Sequence, residues 1–287
     1  MAESHGKQQA GISFLSGFFD RGDFVPAKKS KPTLTLRPLV ELIRAFTNMI
    51  SATSTKRSGP HPILLWLLSS IGKKTIVALT GICLVLFVTG HLLGNFTIYL
   101  GPGWLNAYAE HLQSLGPILW VIRIGLLGVV GAHILFTMLL WHENMAARPK
   151  KYIASDPIET TVFARTMRLS GLCVLAFIVF HLAHFTLCVV NPSFKDLHTT
   201  LDGHQVHDVF AMVVAGFSVW PVSLIYIAGL FLLTLHLSHG IGSLFQTLGI
   251  TNRATRPLIE TVTRAYAWLL FLGYISIPIS VLTGIVK

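Results

Sequence analysis

Charge is what this sequence has least of. Asp, Glu, Lys and Arg make up 12% of its 287 residues, against about 25% in ordinary soluble domains. So little charge cannot solvate the surface of a soluble globule of this length. Cysteine is scarce as well: Cys83, Cys173 and Cys188 stand far apart in the chain. Zinc and iron–sulfur sites need thiolates at short, repeated spacings, so neither is expected here. No Cys-x-x-Cys-His occurs, which excludes a covalently attached c-type haem. No Gly-x-Gly-x-x-Gly fingerprint occurs either, so no dinucleotide or flavin site is expected on this chain. The three thiols are expected to act as small buried apolar groups.

Apolar residues are abundant, at 52%. They fall in runs near the roughly 20 residues that a helix needs to cross a bilayer. The composition predicts an all-α polytopic membrane protein. The formal net charge of +10 would suggest nucleic acid in a soluble protein. Here the basic residues sit in short loops and the N-terminal tail, so they set membrane orientation and no nucleic-acid partner is expected.

Residues 1–64 form a separate N-terminal extension without a spanning segment. The apolar patch Ile12–Phe19 is short and runs into Asp20, Arg21 and Asp23, unlike a cleaved signal. Within the extension, Leu39, Leu42, Ile43, Phe46, Met49 and Ile50 share one helical face opposite Arg37, Glu41, Arg44 and Asn48. This predicts an amphipathic helix near 38–51, lying on the inner membrane surface or docking a partner subunit. Residues 65–287 carry five predicted spans, at about 75–99, 118–141, 169–190, 220–245 and 265–286. Residues 206–219 lie along the interface before the fourth, and Pro278 bends the fifth. The tail and the loops after spans two and four hold most Lys and Arg, while the other two loops hold only Lys195. The N-terminus is therefore expected in the cytoplasm and the C-terminus outside.

Four of these spans each carry a histidine: His91, His133, His181 and His236. An ionisable residue inside hydrocarbon is costly and marks function by default. At 1.5 Å of rise per residue, His91 and His181 lie roughly 25 and 20 Å from the inner surface. His133 and His236 lie roughly 22–24 Å from the outer one. In a core about 30 Å thick this makes two layers, about 15 Å apart, each with one histidine from each of two helices. Two imidazoles can grip one haem iron from both sides, so the pattern suits two bis-histidine haems.

Glycines accompany these positions: Gly90 and Gly94, then Gly125, Gly128 and Gly131, then Gly240 and Gly242. They would admit a flat macrocycle or a neighbouring helix. His184 and His239 follow two of the histidines by three residues and are competing ligands, or partners for a propionate or a headgroup. His142, His198, His204 and His207 read as surface residues, and His61 carries no signal.

The stretches FVTGHLLGNF and LNAYAEHLQSLGP, then GAHILFTMLLW, FIVFHLAHFT and TLHLSHGIGSLFQTLGIT, occur in this order. Together they resemble the five-helix, two-haem cytochrome b anchors of succinate:quinone oxidoreductases, fumarate reductases included. The resemblance covers about residues 65–287. It implies two haem b groups, the distal on His91 and His181 and the proximal on His133 and His236. It also implies a flavoprotein subunit and an iron–sulfur subunit as partners, with FAD and iron–sulfur clusters on those chains only. Menaquinone or another quinone is expected near the distal haem, in a bacterial cytoplasmic membrane. Glu110 and His111 are candidates for proton transfer there, and Arg123 for pairing with a distal haem propionate. Two other readings use the same residues: a cytochrome b serving a hydrogenase or formate dehydrogenase, and a transporter relaying protons through histidines.

Overall fold

A computed structural model describes Glu41, residues 62–147 and residues 162–287. The chain divides into Met1–Pro60 and His61–Lys287. Of the first unit only Glu41 is described, a helical and exposed position. The rest of the expected helix at 38–51, His61 and the basic positions Arg148, Lys150 and Lys151 lie outside the described residues.

The second unit begins with α1 (Pro62–Leu68) and α2 (Ser70–Asn95), which a 3-10 turn extends to Leu100. Then come α3 (Pro102–Ser114), α4 (Pro117–Ala146) and α5 (Val162–His181), the last continued by a π turn over Leu182–Thr186. An antiparallel hairpin follows, β1 (His198–Leu201) and β2 (His204–His207), with His198 opposite His207. The unit closes with α6 (Val209–Ser218), α7 (Trp220–Thr247) and α8 (Arg256–Leu282). Five helical segments are long and apolar enough to cross a membrane: Ser70–Leu100, Pro117–Ala146, Met167–Thr186, Trp220–Thr247 and Arg256–Leu282. This is a multi-pass, essentially all-α membrane protein.

Helix is the only open-ended solution for such segments, because hydrocarbon offers no partner to an unpaired N–H or C=O. Proline marks the starts. Pro62, Pro102, Pro117, Pro221 and Pro257 all stand in a first turn, where the missing N–H costs nothing. Pro278 is the exception, inside α8 and fully buried.

Three features depart from the sequence-based expectation. The fifth span starts at Arg256 rather than near Ala265. Arg256 Nε bonds Glu260 one turn on at 2.8 Å, and Arg264 Nε donates to the Glu260 carbonyl at 2.9 Å. Hydropathy marks where lipid begins, whereas these charged residues continue the helix beyond it. The connections after the first and third spans, expected outside and read as loops, are built structures. Gly101 and Gly116, both at positive φ, bracket α3, and the hairpin fills much of the second connection. Buried Asn106 ties them together: its Nδ2 donates to Asp208 at 3.0 Å, and its Oδ1 accepts from Phe210 N at 3.0 Å. Asp208 also caps α6 through Ala211 N at 2.9 Å.

Helix α2 packs on α4 and α7, and α7 packs on α5 and α8. Close approach relies on missing side chains. A Cβ on Gly229 would stand 2.3 Å from the Phe177 ring, and one on Gly273 would stand 2.8 Å from Leu92. Hydroxyls join α2 to α8, with Tyr274 donating to the Val88 carbonyl at 2.6 Å and Thr89 bonded to Tyr266. At the inner end, buried Lys73 of α2 pairs with Glu143 of α4. Large exposed apolar side chains such as Leu86, Ile124, Val179 and Leu269 cover the outside of the spans, as a lipid-facing surface requires.

Candidate functional site

The spans bring the four histidines together in pairs. His91 on α2 and His181 at the end of α5 have ring centroids 5.9 Å apart, with planes at 77°. Two imidazoles bound to one metal at about 2 Å each would put their centroids about 6 Å apart. His133 on α4 and His236 on α7 are near enough for their charges to interact, without the ring contact that joins the first pair, and are the second candidate pair.

Each pair is oriented by hydroxyls from neighbouring helices. Thr80 Oγ lies 3.0 Å from His133 Nδ1 and donates its own proton to the Ile76 carbonyl at 2.7 Å. With that proton on the carbonyl, the oxygen accepts and His133 carries its proton on Nδ1. Ser170 repeats the pattern: its Oγ lies 3.4 Å from His236 Nδ1 and donates to the Met167 carbonyl at 3.0 Å. In that tautomer both rings present a bare Nε2 lone pair, the form a metal ligand needs. Glycine makes room beside them. A Cβ on Gly81 would lie 3.6 Å from His133, and one on Gly171 would lie 3.3 Å from His236.

The two pairs occupy different levels. Helix α2 touches the inner pair through Thr80 and the outer through His91, 91 − 80 = 11 residues on. Helix α5 does so through Ser170 and His181, also 11 residues, and α7 through His236 and Tyr226, 10 residues. At 1.5 Å per residue the three helices agree on a separation of about 15–17 Å.

No protein-family model, curated protein or solved structure matches this chain. The chemistry must therefore be read from the donors themselves. Among the described residues no three His, Cys, Asp or Glu side chains gather to hold a bare ion. Zinc would need three or four protein ligands. A porphyrin supplies the equatorial donors itself and needs only the two axial ones that each pair offers. A Cβ on Gly90, Gly125, Gly128 or Gly131 would meet nothing within 4 Å. Gly94, by contrast, is filled by Tyr108, whose hydroxyl would lie 2.4 Å from such a Cβ. Gly94 therefore serves helix packing, while the other four stand exposed on the outside of their helices.

The remaining candidates are more dispersed. Glu110 is bonded to His204 of the hairpin rather than to His111, which is exposed. Its carboxylate holds the His204 imidazole above its ordinary pKa. Arg123 is exposed and lies over the Trp120 ring, 5.2 Å from its centroid. His184 is fully buried and bonds Tyr226 at 3.1 Å, so it stands behind the outer pair rather than replacing a member of it. His239 is half-buried and His142 exposed.

Thr80, Ser170, Tyr226 and His204 were not singled out from sequence. Only Tyr226, a phenol inside an apolar span, carried a local signal. The partners of the other three lie 53, 66 and 94 residues away.

Proposed function

We propose that this chain is the dihaem cytochrome b subunit that anchors a succinate:quinone oxidoreductase in a bacterial cytoplasmic membrane. It would pass electrons between an iron–sulfur partner and a quinone such as menaquinone. The observation that supports the reading is two histidine pairs at two levels of one bundle, with a hydroxyl beside the Nδ1 of each inner ring. His91 and His181 would hold the distal haem, and His133 and His236 the proximal one. Bound there, the haems supply one-electron redox chemistry at two depths.

The protein's own part is to orient the ligands, exclude water and handle protons at the outer end. Thr80 and Ser170 keep the inner rings in one tautomer. Glu110, His111 and His204 lie on the α3 and hairpin side, where a carboxylate beside imidazoles can take up or release a proton. Arg123, one helical stretch above His133 on α4, is the cation suited to a distal propionate. By the charge of its loops the N-terminus faces the cytoplasm, with the iron–sulfur and flavoprotein subunits on that side.

The test is the spectrum and composition of the purified complex. A b-type spectrum, two haems per chain, and co-purifying flavoprotein and iron–sulfur subunits are expected. A molybdenum or nickel partner would move the chain to another dehydrogenase. A colourless protein would overturn the haem reading.

A further inference from the structure

We propose that Tyr226 is the positioning residue of the outer centre: its hydroxyl, anchored by His184, accepts from His181 Nδ1–H, leaves Nε2 for the iron and sets the outer haem's potential apart from the inner one's. This rests on the dihaem reading.

The Tyr226 hydroxyl lies 3.4 Å from His181 Nδ1 and 3.1 Å from His184 Nδ1. It differs from Thr80 and Ser170, which spend their protons on carbonyls of their own helices. Among the described residues its hydrogen-bond partners are two imidazoles, so their tautomers decide its direction. With Nε2 of His181 on iron, the proton of the neutral ring is on Nδ1 and Tyr226 must accept it. Its own proton then goes to His184 Nδ1, and the His184 proton is placed on Nε2. That nitrogen is buried and has no partner among the described residues. Such orphans are uncommon and call for a reason. Here the iron sets the direction: with His181 Nε2 taken, the chain runs from His181 to His184, and the unpartnered Nε2–H is its far end.

The surroundings hold this arrangement rigid. The π turn after His181 brings His181 and His184 to the same phenol. Phe180 stacks on His184 at 5.6 Å, and Phe177, Phe185 and Phe217 ring Tyr226 at 4.9–5.6 Å. A hydroxyl that donates to one ring accepts more strongly from the other. His181 thereby becomes a more electron-rich ligand and favours the oxidised iron. His91 has no hydrogen bond among the described residues, so this control of the outer centre enters through His181 alone.

Redox titration of the purified complex at the haem bands, with electron paramagnetic resonance of the oxidised form, tests the assignment. The outer component is the one lost in His91→Ala. Tyr226→Phe is expected to keep two haems, raise the outer midpoint potential and change the outer resonance, with both inner signals unmoved. His184→Gln, which keeps an acceptor for Tyr226, should stay near the wild-type potential, and His184→Phe should follow Tyr226→Phe. Unchanged potentials and resonances in Tyr226→Phe overturn the assignment, as does an equal shift at both haems. If Tyr226→Phe does not assemble, indistinguishable potentials in the two His184 variants overturn it. A wild-type complex without haem sinks the dihaem reading itself, and the Tyr226 role with it.

Discussion

Helices α4 and α7 are near twins in sequence terms. They span 30 and 28 residues, both begin with proline in the first turn, and each carries an inner-level histidine. In the folded chain they differ sharply. Helix α7 buries Ser223, Tyr226, Gly229, Leu230, Thr234 and Leu237 between α5 and α8, whereas α4 buries no residue at all. Protein packing holds α7. Helix α4 leans on α2 and is pinned at its inner end by Lys73 and Glu143, and its glycine row at 125, 128 and 131 meets no protein. The contrast shows that apolar composition states only that a helix belongs in the membrane. Whether its neighbours are protein, lipid or a bound group is a separate property.

The largest expected effect comes from the two inner histidines. His133→Ala on α4 and His236→Ala on α7 should each reduce the haem count from two to one per chain, with the outer spectrum retained. If α4 faces lipid only, His133→Ala will leave the pigment intact while His236→Ala does not, and the two helices part company at the site as well.

Next comes the inner pin. Lys73→Ala strands the Glu143 carboxylate, which is partly exposed. The loss should fall between about 1 kcal/mol for an exposed pair and roughly 3–5 kcal/mol for a buried one. It should appear as a lower thermal midpoint, with α4 the first element to gain protease sensitivity.

Glycine substitutions sharpen the contrast further. Gly229→Ala on α7 drives a methyl into Phe177 and should cost roughly 1–3 kcal/mol by overpacking. Gly128→Ala on α4 meets no protein atom, so the same assay should find it neutral or stabilised by up to about 1 kcal/mol.

At the outer end, Asp208→Ala removes the cap of α6 and one anchor of Asn106, and should cost about 1 kcal/mol. The smallest effect is pH-dependent. Glu110 raises the folded-state pKa of His204, so that contact contributes fully below the ordinary imidazole value. It is lost as pH rises through the elevated one. The protection of the hairpin amides at 198–207, taken relative to their intrinsic exchange at each pH, should therefore fall across neutral pH and above, and His204→Gln should remove that fall.

What could be read directly was whatever depends on composition along a single helix. The five spans follow from apolar runs that must satisfy their own backbone in lipid. The two levels of histidines follow from the fixed rise of a helix between charged ends. The start of α8 was missed because hydropathy reports the lipid boundary. The outer connections were missed because α3 and the hairpin are held by Asn106 and Asp208, 102 residues apart.

The sequence alone thus determined that this is a membrane bundle with two tiers of imidazoles, since spacing along a rigid helix converts directly into depth. Only the tertiary structure decided which hydroxyl stands against each inner ring, which glycines pack against a neighbour and which histidine stands behind another. Those properties depend on atoms from different helices meeting within about 3 Å of one another, and no pattern along one strand of sequence encodes that meeting.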